Sequence, residues 1–85
     1  MVKRSKILEK LLSGSNNISF EEFISLLKGF GYIMERIHGS HHIFKHPDVP
    51  QLLSIQPRKD GKAKPYQLRQ FLKQVEEYRL TLKED

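Results

Sequence analysis

The segment Gly39-Ser40-His41-His42-Ile43-Phe44-Lys45-His46-Pro47-Asp48 holds all but one of the chain's four histidines, and the remaining one, His38, directly precedes it. Histidine can both take and give a proton close to neutral pH, because its unperturbed pKa is about 6.5. A cluster of it beside a tight turn, in a chain without cysteine, is the feature best suited to chemistry. Catalysis needs one imidazole within about 2.6–3.2 Å of a substrate hydroxyl or phosphate oxygen. Across a Gly39-Ser40 turn, His38 and His41 stand opposite each other on one face of a hairpin. His42 points the other way, and His46 lies further along the strand. The plain alternative is four ordinary surface histidines. His38, His41, His42 and His46 with Asp48 also offer enough donors for zinc. Strand alternation separates His41 from His42, however, and no cysteine supports a closed structural site. Neither a metal nor any other cofactor is expected.

Positive charge is the second signal. The chain carries a net charge of +5, which on a small domain points to a polyanionic partner, nucleic acid first. The cations gather in Arg58-Lys59-Asp60-Gly61-Lys62-Ala63-Lys64, just before a helix with no Ser, Thr, Asp or Asn cap. Free amides at such a helix start, with Arg58, Lys59, Lys62 and Lys64 beside them, would suit phosphate; otherwise the segment is a solvated loop. Arg69 and Lys73 carry the charge along the next two turns. Tyr66 and Tyr78 could stack on bases, although Tyr78 falls on the apolar stripe of that helix. There is no Gly-rich phosphate loop, nucleophile elbow or carboxylate pair, so ATP-dependent and triad chemistry drop out.

These residues need a scaffold. Ser5 to Ser13 reads as a short amphipathic helix with Ile7, Leu8, Leu11 and Leu12 on one face. Ser13-Gly14-Ser15-Asn16-Asn17 then breaks it, leaving open whether it packs on the domain or projects from it. Ser19 and Glu22 form a capping box for a second helix, with Ile18 and Phe23 at the positions of a hydrophobic staple. Phe20, Phe23, Ile24 and Leu27 face a core, and Gly29 or Gly31 supplies the left-handed residue at its end. Tyr32–His38 and His41–Lys45 read as strands flanking a type II′ turn, with glycine at its first centre. Pro47-Asp48-Val49-Pro50 argues against regular pairing next, and Leu52–Gln56 reads as a third strand. Pro65 suits the first position of a last helix, whose stripe is Leu68, Phe71, Leu72, Val75 and Tyr78.

The predicted order is therefore α+β, with helices at both ends of a three-stranded antiparallel meander. At 85 residues there is room for one core only. We divide the chain into an N-terminal helix and linker (1–17), the main domain (18–82) and a frayed tail (83–85). No apolar run approaches the ~18 residues needed to span a bilayer, so no membrane association is expected. With no cysteine and no leader pattern, a cytoplasmic location is expected.

Gly39-Ser40-His41-His42-Ile43-Phe44-Lys45-His46-Pro47, followed by Lys62-Ala63-Lys64-Pro65-Tyr66-Gln67-Leu68-Arg69-Gln70-Phe71-Leu72, closely resembles the HicA family of small mRNA-interferase toxins from bacterial type II toxin–antitoxin pairs. The resemblance runs from about Ser19 to Tyr78. It implies a double-stranded-RNA-binding-like α-β-β-β-α fold, here with an extra N-terminal helix. It also implies metal-independent cleavage of mRNA and neutralisation by a HicB-type antitoxin. The family's catalytic histidine follows the Gly-Ser turn, which assigns the role to His41, presented by Gly39 and Ser40; no role carries over to His42 or His46. On this reading Lys45, Arg58, Lys59, Lys62, Lys64 and Arg69 hold the RNA backbone, and His41 is general base toward a ribose 2′-OH. The general acid stays open among His38, His42 and Lys45. A non-catalytic RNA-binding module of the same fold is the alternative, and a pure protein-interaction domain is the third.

Overall fold

A computed structural model describes residues 3–85. Its elements run α1 (Arg4–Leu12), α2 (Phe20–Gly29), β1 (Ile33–His38), β2 (His41–His46), β3 (Val49–Ile55) and α3 (Pro65–Glu77). The strands form one antiparallel sheet in the order β1-β2-β3. The α+β architecture expected from the sequence is the one observed.

Local signals set the helix ends. Ser19 Oγ accepts from the Glu22 amide at 3.1 Å and Glu22 Oε1 accepts from the Ser19 amide at 2.9 Å, the reciprocal pair that satisfies two otherwise orphaned donors. At the other end Gly31, not Gly29, takes the left-handed conformation (φ 97°). Its amide donates to Lys28 O and that of Tyr32 to Leu27 O, the paired bonds of a Schellman close. Pro65 occupies the first turn of α3.

Strand parity divides the sheet into two faces. Met34, Phe44 and Leu53 are aligned across the three strands, as are His42 and Ile55, and this face meets the helices. Phe44, Leu53 and Ile55 are fully buried there with Phe23, Phe30, Phe71 and Leu68. The opposite face, bearing Arg36, His38, His41, Ile43, Lys45 and Ser54, is open. Register slips by one residue between Met34 and Arg36, and by two, with the extra residues on β3, between Phe44 and His46.

The structure departs from expectation in two places and decides one point, the packing of α1, that the sequence left open. β3 begins at Val49 rather than Leu52, closing a hairpin over the two residues Pro47 and Asp48. Pro50 is tolerated because β3 is an edge strand, where a missing N–H need not break a ladder bond. α1 is no appendage: Ile7 and Leu11 are buried in the common core. Nor is the tail frayed. Lys83 and Glu84 donate their amides to Gly29 O at 2.8 and 3.2 Å, and Leu80 and Leu82 pack against the core. Asp85 receives the Ser5 amide (2.8 Å) and hydroxyl (3.0 Å), so a carboxylate from the far end of the chain caps α1, whose own N-cap, Lys3, makes no side-chain bond.

Candidate functional site

The β1–β2 turn is built as the sequence implies. Of its two central residues only Gly39 has positive φ, at 63°, which is what a II′ turn demands of its first centre. His38 and His41 are direct cross-strand partners. Ser40 Oγ reaches Gln56 Oε1 at 3.5 Å, and the His41 Nδ1 lies 3.3 Å from Ser54 Oγ. The turn is thus tied to the end of β3, and the exposed His41 ring is steadied from the neighbouring strand. Arg36, His38, His41 and Ile43 line one open depression of about 290 Å³.

The other two histidines serve the fold. His42 turns to the helical side, edge-on to Phe20 with ring centroids 4.9 Å apart, and its Nδ1 lies 3.2 Å from Ser40 O, which makes that nitrogen the donor. His46 is buried. Its Nδ1 accepts the Asp48 amide at 3.0 Å, so Nε2 carries the proton and donates to Phe30 O at 3.0 Å. Both ring nitrogens are spent on backbone. Among the described residues, no three His, Cys, Asp or Glu side chains converge as metal ligands would.

The expected phosphate-binding cations are spread over three places. Lys45, exposed on β2, shares the open face with His41 by strand parity. Arg58, Lys59, Lys62 and Lys64 follow β3 in a loop at the hairpin end of the sheet. That loop is pinned rather than loose: Arg58 N–H donates to Lys62 O (2.8 Å), Ala63 N–H to Ile18 O and Phe20 N–H to Gly61 O. Arg58 pairs with Asp60 at 3.2 Å, and Lys62 Nζ donates to Asn17 Oδ1. Arg58 and Lys59 are exposed, whereas Lys62 and Lys64 are half-buried. Arg69 lies elsewhere, in a groove of about 400 Å³ on the helical side with Leu11, Leu12, Pro65, Leu68 and Leu72. The expected nest of free amides at the start of α3 is not formed. Pro65 has no N–H and the Gln67 amide donates to Lys64 O, which leaves Tyr66 alone among the first three residues.

Two residues of the site were missed from sequence. Arg36 was legible, since it precedes His38 by two and shares its face under strand alternation. Ser54 was not, because its place beside His41 depends on the β2–β3 register, which pairs Ile43 with Ser54. Gln67 supports the scaffold behind them: buried, it accepts the Gln56 amide at 3.1 Å and joins the end of β3 to α3.

No helix among the described residues is long and apolar enough to cross a membrane. Neither the comparison with curated proteins nor that with solved structures gave a match. The family model described as HicA toxin of bacterial toxin–antitoxin matches residues 20–76, a span that runs from the start of α2 almost to the end of α3 and contains the whole sheet. Because that match covers well over half of the chain, the turn-borne histidine and its sheet sit within a recognised unit, and the chain belongs to the HicA family of toxins from toxin–antitoxin systems.

Proposed function

We propose that this toxin is a metal-independent endoribonuclease that cleaves mRNA, with His41 as general base. The observation that carries the reading is the exposed His41 ring on the open sheet face, braced through Nδ1 on Ser54 with Arg36 and His38 around the same depression. With its proton on Nδ1 and directed to Ser54 Oγ, the ring keeps a lone pair on Nε2 for substrate. That nitrogen takes the proton of a ribose 2′-OH. The 2′-oxygen attacks the adjacent phosphorus, the bond from phosphorus to the 5′-oxygen breaks, and a 2′,3′-cyclic phosphate is left. Arg36 supplies positive charge where the phosphorane gathers negative charge, and Lys45 holds the backbone further along β2. Arg58 and Lys59, exposed at the hairpin end, hold the backbone further along by charge and shape.

One small sheet face suffices for this chemistry. Attack by an internal 2′-hydroxyl needs no bound water or metal-bound nucleophile, only a positioned base and charge at the phosphate. A HicB-type antitoxin neutralises the toxin by covering this open face, the simplest way to deny RNA access.

The test is direct. The purified toxin should cleave RNA in the presence of a chelator, yield cyclic-phosphate ends and arrest growth when expressed alone. His41→Ala should lower cleavage by about 10²–10⁴-fold while remaining folded, because the ring is exposed. Undiminished cleavage by that variant would remove His41 from the mechanism. Salt-dependent RNA binding without cleavage by the parent would instead select a non-catalytic RNA-binding role.

A further inference from the structure

We propose that His38 is the general acid of this reaction, protonating the departing 5′-oxygen. The inference rests on the ribonuclease reading above and extends it to the second half of the proton inventory. A 5′-alkoxide is a poor leaving group, so the step that breaks its bond to phosphorus needs a proton as much as attack needs a base.

Geometry singles out one donor. His38 and His41 are directly paired across the two-residue turn, and both line the same depression. Such partners have Cα atoms roughly 4.5–5.5 Å apart, so two rings rising from them can flank one phosphate. That is the arrangement required when the attacking and leaving oxygens lie on opposite sides of phosphorus. Arg36, two residues before His38 and in the same depression, can then grip the non-bridging oxygens through its planar fork.

The other candidates fail on position. His42 faces the helices, with its Nδ1 bonded to Ser40 O and its ring against Phe20. His46 is buried, and both of its nitrogens are engaged. Lys45 shares the open face but stands four residues along β2 from His41, roughly 13 Å away at 3.3 Å per residue. It is too far to serve the same phosphodiester as an acid. Arg36 does not give up a proton in proteins. His38 remains, and among the described residues its ring has no hydrogen-bond partner, unlike those of the other three histidines.

The proton and bond balance closes without a further reactant. The 2′-OH proton passes to His41 Nε2, the bond from phosphorus to the 2′-oxygen forms, and the bond to the 5′-oxygen breaks. The His38 imidazolium proton ends on the 5′-hydroxyl of the departing strand.

The test compares ordinary RNA with the same oligonucleotide carrying one 5′-bridging phosphorothiolate, whose thiolate departs without protonation. His38→Ala should cut cleavage of ordinary RNA by about 10²–10⁴-fold yet process the thiolate substrate within a few-fold of the parent. His41→Ala should stay impaired on both. A His38→Ala protein that cleaves ordinary RNA at the parental rate, or that sulfur does not rescue, overturns the assignment while leaving His41 and the ribonuclease reading in place. A parent that cleaves neither substrate removes the ribonuclease reading, and this proposal with it. Circular dichroism of both variants guards against loss of fold, which is not expected at two exposed positions.

Discussion

Replacing His46 should damage the fold and spare the chemistry, although it lies only a few residues from the proposed base. The His46 ring is buried against Tyr32, edge-on with centroids 5.0 Å apart, and bridges Phe30 O to the Asp48 amide. It therefore joins the end of α2 to the β2–β3 turn. His46→Ala deletes two hydrogen bonds worth about 1 kcal/mol each and an edge-to-face contact worth about 0.5–1.5 kcal/mol. It also leaves a carbonyl and an amide to find water. The sum is about 3 kcal/mol. At roughly 0.05–0.15 kcal/mol per residue, the whole chain is stable by about 4–13 kcal/mol, so the loss is a large share of the total. At about 4–8 °C per kcal/mol for a domain of this size, Tm should fall by about 12–24 °C. Urea unfolding followed by circular dichroism measures the difference. His41→Ala, at an exposed position, serves as the control and should stay within about 0.5 kcal/mol of the parent. Below its own transition, folded His46→Ala should still cleave RNA. A cost under about 1 kcal/mol would refute the bridging role derived from the two backbone contacts.

Three further outcomes follow from the clasped tail and the core. The Ser5 amide and hydroxyl hold the Asp85 carboxyl below the ordinary carboxylate range, so its contribution is present above that range and lost as pH falls through the lowered value. The urea midpoint of Asp85→Ala should accordingly lie below the parent's at neutral pH and converge with it at strongly acid pH; a gap that persists in acid would contradict the cap. Burial pushes the Tyr32 phenol well above its usual range, and its hydroxyl donates to Gln74 Oε1 at 2.6 Å. Its contribution holds below the ordinary tyrosine pKa and is lost as pH rises through the elevated one, so Tyr32 should ionise only as the protein unfolds in base. Phenolate absorbance missing from Tyr32→Phe while circular dichroism is still native would show otherwise. A Cβ at Gly29 would stand 2.7 Å from Arg4 Cδ and Leu82 Cδ1 and 2.8 Å from Glu84 O. Gly29→Ala should therefore prise the tail away, at about 1–3 kcal/mol, with faster hydrogen exchange at Lys83 and Glu84; unchanged exchange there would mean that the tail does not rest on Gly29.

What the sequence disclosed, and what it hid, divides by the range of the interaction. The Ser19–Glu22 box, Pro65 at the head of α3 and the Gly39-Ser40 turn each depend on partners within a few residues, and each was legible. The same turn put His38 opposite His41, because a two-residue loop leaves no freedom in the pairing of its flanks. Three features needed partners far along the chain: the Asp85 cap on Ser5, the Gly29 seat of the tail, and Ser54 beside His41. No local pattern encodes them. Pro50 moved the expected start of the third strand to Leu52, although proline excludes a central strand and not the edge position that a meander gives β3. The basic loop could be read as a phosphate site or as a merely solvated loop, and composition did not show that its backbone is bonded to itself and to the segment entering α2.

Parity along β2 carries the sharpest consequence. Alternation places His41, Ile43 and Lys45 on the open face and His42, Phe44 and His46 on the helical face, so a single strand separates the proposed base from its support within six residues. The bulge between Phe44 and His46 does not disturb that division, since His46 still reaches Phe30. A one-residue slip of β2 would bury His41 and carry His42 and His46 out to solvent, exchanging the two roles. The buried pairs on the helical side oppose such a slip: Phe44 against Leu53, and His46 against the end of α2. The residues that keep His41 exposed are thus ones buried on the helical side, away from the open face. Changes at His46 or Phe44 should therefore alter how much folded toxin exists, and changes at His41, His38 or Ser54 how fast each folded molecule works.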